Sequence, residues 1–584
     1  MTLFDPTTSP RAYDAIVVGS GISGGWAAKE LCEAGLKTLV LERGRHVEHG
    51  DYPTASIDPW DWSDDDGPGA SAMRDRLTAE ELTDYPVQNR IWYVCNREWI
   101  HHFVKDTEHP YQEAPGSRFD WIRGYQTGGR SLVWGRQSYR LSDIDFTANA
   151  RDGIAVDWPI RYADLKPYYD RVERYIGVSG RAEGWPALPD GAFEPPMAMT
   201  AVEEHLRDRI AERFDDRLMT MGRTAHLTGQ AGRPEQNRQS CQYRNRCMRG
   251  CPYGAYFSSN SSTLPAADRT GNLTLRPYSI AAEVLRDEAT GLATGVRVID
   301  QETRQEHEFT ARVVFLNAST VGSTAILMQS GDWANESDQL GRNMMDHHCD
   351  IGAKATIEGF EDSYYAGRRA NGFYIPRFRN LPTDKGRGSR DYIRGFGFQG
   401  GSGRGDWRSG VAELGYGAAF KDALLRPRGW GLAMYGFGEV LPYADNTMRL
   451  DPSATDAWGL PQVSFETSLR QNEEAMRRDI TASAAEMLEA CGFGNVETYD
   501  GGHGPDGTYG VGTGIHEMGT ARMGRDPRTS VLDAHNRVHA CRNVYVTDGS
   551  CMTSAGCVNP SLTYMALTAR AAAHAVNELG SGMR

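Results

Sequence analysis

The sequence has no long apolar segment and no excess of positive charge. No uninterrupted apolar run approaches the ~18 residues that a membrane-spanning helix needs, so direct insertion into a membrane is not expected. Acidic residues outnumber basic residues by 77 to 63, and no basic stripe with interleaved aromatic residues is present. These features argue against a nucleic-acid partner and favour a small neutral substrate.

Signs of an oxidising compartment are also few. The start, "MTLFDPTTSPRAYDAIVV", has neither the charged head nor the apolar segment of a signal peptide, so we expect no export signal in this chain itself. Seven of the ten cysteines have no spacing typical of a disulfide framework; they are residues 32, 95, 349, 491, 541, 551 and 557. The other three lie close together in "CQYRNRCMRGCPYGA" (241–255), where disulfide bonding does not explain them.

The composition is that of a large globular protein. At 584 residues, with 40% hydrophobic and 24% charged residues, the chain exceeds one core, and two interleaved domains are expected. Residues 51 to 120 show no sustained period and are interpreted as an irregular excursion from the first domain.

The N-terminal segment carries a glycine motif between two apolar runs. In "YDAIVVGSGISGGWAAKELCEAGLKTLVLERG" (13–44), Gly19 permits a tight turn, Gly21 lets the backbone approach a pyrophosphate, and Gly24 allows close helix packing. Glu42, at the end of the second run, suits a ribose hydroxyl. The motif predicts a βαβ unit that binds a dinucleotide, without separating FAD from NAD.

The remaining pattern indicates two units. "GYQTGGRSLVWGRQSYR" (124–140) is a glycine turn that can bring backbone close to a flat ring, or a tight turn in the core. Glycine and aromatic residues alternate from about 350 to 500, which predicts an antiparallel sheet lining a cavity. We predict an α/β fold (α+β overall), with a Rossmann-like domain interleaved with a substrate domain. The Rossmann-like domain is assigned 1–155, 255–345 and 520–584; the substrate domain is assigned 156–254 and 346–519, including the cysteine loop 241–251.

The C-terminal segments carry a more specific resemblance. "GIHEMGTARMG" (514–524), "NVYVTDGS" (543–550) and "NPSLT" (559–563) are similar to the C-terminal signature of the glucose-methanol-choline (GMC) oxidoreductases. "GGRSLVW" (128–134) and "GRNMMDH" (341–347) extend the similarity over most of the chain.

The resemblance implies FAD and a catalytic pair, His516 and Asn559. Alcohol oxidation removes a hydroxyl proton and a hydride, so a near-neutral imidazole suits the base and a neighbouring amide can orient the oxygen. A core histidine and a helix-capping asparagine are the structural alternatives. His535 and His539 lie nearby in sequence but do not match the catalytic position.

The resemblance also implies which other residues contact FAD. Besides Gly19, Gly21, Gly24 and Glu42, the predicted contacts are Gly128, Gly129, Ser131, Val284, Asp548, Gly549, Asn559 and Pro560. Pyranose oxidases attach FAD covalently to a histidine in the segment matching "GGRSLVW", where this chain has Val133. Valine cannot form that bond, and His101 and His102 do not match the motif. Non-covalent FAD is therefore expected.

The three clustered cysteines have the spacing of a metal or cluster site. Five residues separate Cys241 from Cys247 and three separate Cys247 from Cys251. Soft thiolates suit iron–sulfur or zinc, and three of them match a [3Fe-4S] cluster, whereas zinc needs a distant fourth ligand. Reduced structural cysteines are the remaining alternative. The interleaved arginines, Arg244, Arg246 and Arg249, are interpreted most simply as a solvated basic loop.

The chain as a whole resembles the catalytic subunits of bacterial glucoside 3-dehydrogenases. That resemblance implies oxidation of the C3 hydroxyl of glucose, glucosides or disaccharides, with electrons passing through the iron–sulfur cluster to a c-type cytochrome or another acceptor. It also implies a small subunit carrying an export signal and a periplasmic location; a cytoplasmic location is the alternative.

Two other functions remain open from the sequence. An oxygen-using pyranose or glycoside oxidase would make residues 241–251 a structural loop. A non-catalytic nucleotide-binding subunit would use zinc to hold that loop.

Overall fold

The computed structural model describes residues 1–56, 77–91, 93–363, 372–404, 416–425, 429–502 and 510–581. Part of the predicted excursion, residues 57–76, lies outside the described residues. Within the described part, no helix is both long and apolar enough to cross a membrane.

The first sheet has eight strands and a parallel centre. Ala12–Val18 pairs in parallel with Thr38–Leu41 on one side and with Glu306–Leu316 on the other. Its apolar residues are buried on both faces, which explains the continuous "AIVV" run. The strands are Ala12–Val18, Thr38–Leu41, Leu273–Arg276, Ser279–Arg286, Ala293–Asp300, Glu306–Leu316, Arg537–Val538 and Cys541–Val546.

Helices pack on this sheet and contribute to the main core. Ile22–Glu33, which follows the glycine turn, packs against Ser561–Gly580 at the end of the chain. Tyr162–Ile176 lies against the same C-terminal helix. The start and end of the sequence therefore form one structural unit.

The second sheet is antiparallel and has six strands. In sheet order they are Gly494–Asp500, Ile351–Ile357, Trp430–Gly438, Phe396–Arg404, Phe373–Ile375 and Thr220–Met221. Helix Gln471–Ala490 packs on one face through Met476, Ile480 and Ala484.

The predicted α/β class is confirmed, whereas the domain boundaries stay a prediction.

Two glycines leave room for helix Gln471–Ala490 on one face of this sheet. A Cβ on Gly436 would lie 2.4 Å from Ile480, and a Cβ on Gly438 would lie 2.7 Å from Met476. Because side chains alternate along a strand, Tyr435 and Phe437 point to the opposite face. That face looks toward the segments that carry the predicted catalytic residues.

Shorter elements complete the described part of the chain. The other strands are Gln112–Glu113, Val178–Ser179, Phe193–Glu194, Arg342–Met345, Thr447–Thr455, Pro461–Glu466 and Met518–Thr520. The other α-helices are Ala79–Leu82, Asp143–Phe146, Ala148–Asp152, Ala201–Arg213, Thr263–Arg269, Ser319–Gln329 and Gly417–Leu425. Single 3-10 turns are Gln88–Arg90, Ile100–His102, Gly129–Leu132, Pro234–Gln236, Cys247–Arg249, Asp332–Asn335 and Gly549–Cys551.

Candidate active site

The first glycine turn leaves an open surface at the start of a helix. Gly19 has φ +93°, and a Cβ there would lie 2.3 Å from the carbonyl oxygen of Asn317. A Cβ on Gly24 would lie 1.9 Å from the carbonyl oxygen of Gly19. Gly21 meets nothing within 4 Å, and no side chain caps helix Ile22–Glu33. The first N–H groups of that helix can therefore bind a phosphate.

The Glu42 carboxylate connects the first glycine turn to the end of the next strand through hydrogen bonds. Its Oε2 accepts a 2.5 Å hydrogen bond from Oγ of Ser20, and its Oε1 accepts one of 2.9 Å from N–H of Gly44. Burial raises the pKa of this carboxyl. Oε2 also accepts N–H of Ser20 at 3.2 Å, so Oε1 is the oxygen that keeps a second lone pair, and a contact with a ribose hydroxyl stays a prediction.

The second glycine turn sits on the first. N–H of Gly128 donates to Oγ of Ser20 at 2.9 Å, and a Cβ on Gly129 would lie 3.5 Å from Cα of Gly21. The hydroxyl of Ser131 donates to the carbonyl of Gly128 and accepts from N–H of Ser259, so Ser131 holds the shape of the turn.

The residues around both turns fit a dinucleotide such as FAD. Oδ1 of Asn260 and Oδ1 of Asn317 are buried without a hydrogen-bond partner. Asn260 flanks Gly128, and Asn317 flanks Gly19 and Gly24. Buried amide oxygens normally have a donor. The hydroxyl groups of a bound dinucleotide are suitable donors for both.

Asp548 and Gly549 shape the wall next to the C-terminal helix. The carboxylate of Asp548 accepts from Oγ of Ser323 at 2.5 Å and from N–H of Ser550 at 3.0 Å. Burial raises its pKa. A Cβ on Gly549 would lie 2.3 Å from the carbonyl oxygen of Glu517, so glycine is required for this close approach.

His516 follows a strained residue. Ile515 has φ +56°, a left-handed conformation that costs a β-branched residue about 1–3 kcal/mol. The carboxylate of Asp346 accepts N–H of Gly514 at 2.9 Å and N–H of His516 at 3.0 Å. Asp346 thus binds the backbone on both sides of Ile515 and in this way positions His516.

The His516 ring contacts a second buried imidazole. Its Nδ1 lies 3.0 Å from Nδ1 of His347, and Nε2 of His347 lies 3.0 Å from the carbonyl oxygen of Gly556. Burial, and then the nearby His347 ring and Arg130 guanidinium, hold the pKa of His516 well below its usual value. His516 is therefore neutral at neutral pH, as a base must be.

Asn559 meets the substrate sheet. Its Oδ1 accepts a 2.5 Å hydrogen bond from Nε2 of Gln399, in strand Phe396–Arg404. The N-cap of helix Ser561–Gly580 is Pro560 and has no side-chain cap, so capping does not account for Asn559. The Asn559 amide nitrogen has no hydrogen bond within the described part of the chain.

Both predicted catalytic residues converge on one face of the second sheet. Gln399 pairs with Tyr435, so it points to the same face as Tyr435 and Phe437. The Phe437 ring lies 5.8 Å from the His516 ring, centroid to centroid. The pattern of alternating glycine and aromatic residues was the signal for this sheet, but it did not single out His347 or Gln399.

An ion pair connects the second glycine turn to the catalytic segment. The guanidinium of Arg130 donates to the two oxygens of Glu517 at 3.0 and 2.8 Å. Arg130 also donates to Oγ of Ser319 at 2.9 Å. A bidentate pair fixes geometry as well as charge. It therefore fixes the position of the second glycine turn relative to Glu517, the residue that follows His516.

One group near His516 has the spacing of a cation site. Ligand atoms of Asp346, His347 and His516 lie within 4.8 Å of one another. Both Asp346 oxygens already accept backbone N–H groups, and the ring nitrogens are at hydrogen-bond distance. We therefore assign the group as a hydrogen-bond network.

The three loop cysteines are unbridged and partly exposed. N–H of Tyr243 donates to Sγ of Cys241 at 3.4 Å, and Sγ of Cys247 lies 3.6 Å from Nε2 of His226. In the described residues, Cys241, Cys247 and Cys251 do not all bring their sulfurs within 4.8 Å of one another. Tetrahedral zinc, with Zn–S of about 2.3 Å, would bring them to about 3.8 Å. The described residues therefore hold no preformed tetrahedral zinc site made of these three sulfurs, and a [3Fe-4S] cluster stays a prediction.

The cysteine loop rests on the segment that follows the second glycine turn. Met248 packs in one hydrophobic cluster with Leu132 and Val133. The hydroxyl of Tyr256, five residues after Cys251, donates to the carbonyl of Leu132 at 2.6 Å. A group held by the loop would therefore lie close to the glycine turns that fit the dinucleotide.

The loop arginines are not all solvated, which corrects the simple interpretation. Arg249 is 5% exposed and pairs with Glu98 at 2.5 Å. Arg244 donates to the carbonyl of Ala55. These contacts anchor the loop to the excursion, because both partners lie in it.

Some predicted or considered residues lie elsewhere. N–H of Ser279 donates to the carbonyl of Glu42, but N–H of Val284, about 16 Å further along an extended strand, donates to Ser330. Val284 thus lies further along strand Ser279–Arg286 than the residue that meets Glu42, and its contact with FAD stays a prediction. His535 stacks on His574 at 4.0 Å, and His539 contacts Ser530 at 3.1 Å.

Comparison with protein families gives a consistent result. Residues 13–349 match the N-terminal model and residues 442–568 the C-terminal model of the GMC oxidoreductases. The two matches cover most of the chain, including both glycine turns, His516 and Asn559.

Individual relatives align over nearly the whole length. 2-Methyl-1,2-propanediol dehydrogenase of Mycolicibacterium austroafricanum is 27% identical, over 97% of this chain and 95% of its own. The fructose dehydrogenase large subunit of Gluconobacter japonicus is 25% identical, over 97% and 98%. The crystal structure of pyridoxine 4-oxidase from Mesorbium loti has a TM-score of 0.57 at 15% identity, over 96% and 98%, and shows the same fold.

Proposed function

The chain belongs to the GMC oxidoreductase family, and on that premise we propose that it is a sugar dehydrogenase. As a member, it is an FAD-binding flavoprotein that oxidises CH–OH groups of alcohols or sugars. We propose that it oxidises a ring secondary hydroxyl, at C3, of glucose, glucosides or disaccharides to a keto sugar. Two relatives named as dehydrogenases, one of them of fructose, support this class.

The site residues have suitable roles for this reaction. FAD, when bound, accepts the hydride from the carbinol carbon. The neutral imidazole of His516 accepts the hydroxyl proton. The Asn559 amide is held by Gln399 through its oxygen, so its N–H groups can donate to the substrate oxygen as that oxygen loses its proton.

The observation that carries the dehydrogenase proposal is the position of the cysteine loop. Cys241, Cys247 and Cys251 lie on a loop packed against Leu132 and Val133, directly after the second glycine turn. We propose that their thiolates hold a [3Fe-4S] cluster. Such a cluster, when bound, carries one electron at a time toward a cytochrome-type acceptor.

The Cys241 thiol is partly buried, which disfavours its charged form. Burial, and then the neighbouring thiols Cys247 and Cys251, raise the pKa of Cys241 to about 11. A free thiolate is therefore unfavourable there, and iron binding would supply the missing positive charge.

The proposed substrate can be tested with blocked sugars under anaerobic conditions. We expect protein purified without oxygen to contain FAD, iron and inorganic sulfide, and methyl glucoside to bleach the flavin. The 3-deoxy analogue should not bleach it, whereas the matched 2-deoxy analogue should. Bleaching by the 3-deoxy analogue would exclude C3. Hydrogen peroxide formed in proportion to the sugar consumed would support an oxidase. Protein that contains zinc but no iron, and whose flavin is not bleached by sugar, would support a non-catalytic subunit.

We also propose a partner and a location. The relative named as a large subunit supports a complex with a small subunit. We propose further that this small subunit carries the export signal and that the complex is periplasmic. In the native host, the chain should co-purify with that subunit and fractionate with the periplasm. Recovery of FAD-loaded chain only in the cytoplasm would contradict export.

A further inference from the structure

His347 has no role in the predicted catalytic pair, yet it makes the closest polar contact with the His516 ring. It is 3% exposed and lies directly after Asp346, which holds the backbone of His516. Its two ring nitrogens have two different neighbours, a backbone carbonyl and another imidazole. This difference fixes where the protons lie.

The carbonyl decides the proton position on His347. A carbonyl oxygen only accepts hydrogen bonds, so Nε2 of His347, 3.0 Å from the Gly556 oxygen, carries the proton. Burial lowers the pKa of His347 to about 4, so the ring is neutral at neutral pH. A neutral imidazole protonated at Nε2 has its lone pair at Nδ1.

The lone pair of His347 then decides the proton position on His516. The two Nδ1 atoms are 3.0 Å apart, and one of them must donate. Since Nδ1 of His347 is an acceptor, Nδ1 of His516 carries the proton. Nε2 of His516 is left with its lone pair and has no hydrogen bond within the described part of the chain.

We infer that His347 is a positioning residue that holds His516 in the Nδ1–H tautomer, so that Nε2 is the atom that takes the substrate proton. The inference rests on the proposed function for its catalytic consequence, but the tautomer itself does not depend on it. Gly556, three residues before Asn559, therefore belongs to the site. Its carbonyl sets the tautomer of His347 and, through His347, the tautomer of His516.

Three variants separate positioning from packing. His347→Asn places an amide oxygen near the position of Nδ1 and keeps an acceptor for His516. His347→Leu fills the space without an acceptor. His348→Asn is the matched control, because the ring of His348 contacts Arg477 and not His516.

We expect His347→Leu to slow anaerobic flavin reduction by about 10- to 10³-fold, with little change in sugar affinity. His347→Asn should recover most of the rate, and His348→Asn should retain it. With the base misplaced, the rate in His347→Leu should rise steadily with pH as hydroxide replaces the base. The three variants leave unchanged the other charged or titratable groups around His516, which are Asp346, Arg130 and Glu517.

A second readout does not use activity. In protein labelled with ¹⁵N-histidine, His516 should show a protonated Nδ1 and an unprotonated Nε2, assigned with His516→Ala, and His347→Leu should mix the two forms. A wild-type His516 protonated at Nε2, or an unchanged rate in His347→Leu, would overturn the inference. If no sugar or alcohol bleaches wild-type flavin while the ¹⁵N pattern is as expected, the proposed function fails and the tautomer assignment stands.

Discussion

His516→Ala is expected to slow the bleaching of flavin by sugar by ~10²-fold or more while leaving FAD bound. The imidazole is the proposed neutral base, and alanine removes Nε2, the atom proposed to take the substrate proton. None of the hydrogen bonds that shape the glycine turns involves the His516 side chain. The measurement is stopped-flow absorbance of anaerobic protein mixed with methyl glucoside.

Two variants control this result. His539→Ala removes a histidine that contacts Ser530, outside the site, and should retain the wild-type rate. Asn559→Ala should slow bleaching less than His516→Ala, because the base remains. A His516→Ala protein that bleaches at the wild-type rate would remove His516 from the mechanism.

Cys247→Ser is expected to separate sugar oxidation from electron delivery. Serine is a poor ligand for iron, so the variant should lose its iron and inorganic sulfide and should no longer reduce a c-type cytochrome. Bleaching of the flavin by sugar should continue, because the Cys247 sulfur lies at His226, whereas His516 lies at His347 and Asn559 at Gln399. The measurements are metal analysis, flavin bleaching and cytochrome reduction on the same preparation.

Cys95→Ser is the matched control for that variant. Cys95 is also unbridged and partly exposed but lies outside the loop, so its substitution should change neither iron content nor cytochrome reduction. Full cytochrome reduction by Cys247→Ser would show that electrons leave by another route. Loss of flavin bleaching as well would point to a folding defect in the loop.

The local motifs could be predicted from the sequence because each depends on neighbouring residues. Gly19, Gly21 and Gly24 lie on one strand–turn–helix unit, and their spacing alone indicates the turn. The three cysteines stand out by count and separation in the same way. His516 and Asn559 were found through the family signature, since a single histidine carries no such information by itself.

The contacts that tune the site could not be predicted in this way. His347 and Gln399 acquire their roles from segments far apart in the chain, which meet only when the two sheets fold. The side of the sheet that Gln399 faces depends on its register with Tyr435, and a shift of one residue would reverse it. For Val284, the sequence indicates the strand but not which of its residues a dinucleotide would reach, and its contact with FAD stays a prediction.

A dehydrogenase of the proposed kind requires that the cysteine loop holds iron and passes on electrons taken from a sugar. The most direct test is electron paramagnetic resonance of anaerobically purified, oxidised protein before and after addition of methyl glucoside. We predict a signal from oxidised cluster iron that disappears when the sugar is added, and that is missing from Cys247→Ser. Protein with bound FAD but without inorganic sulfide and without an iron signal would contradict the claim.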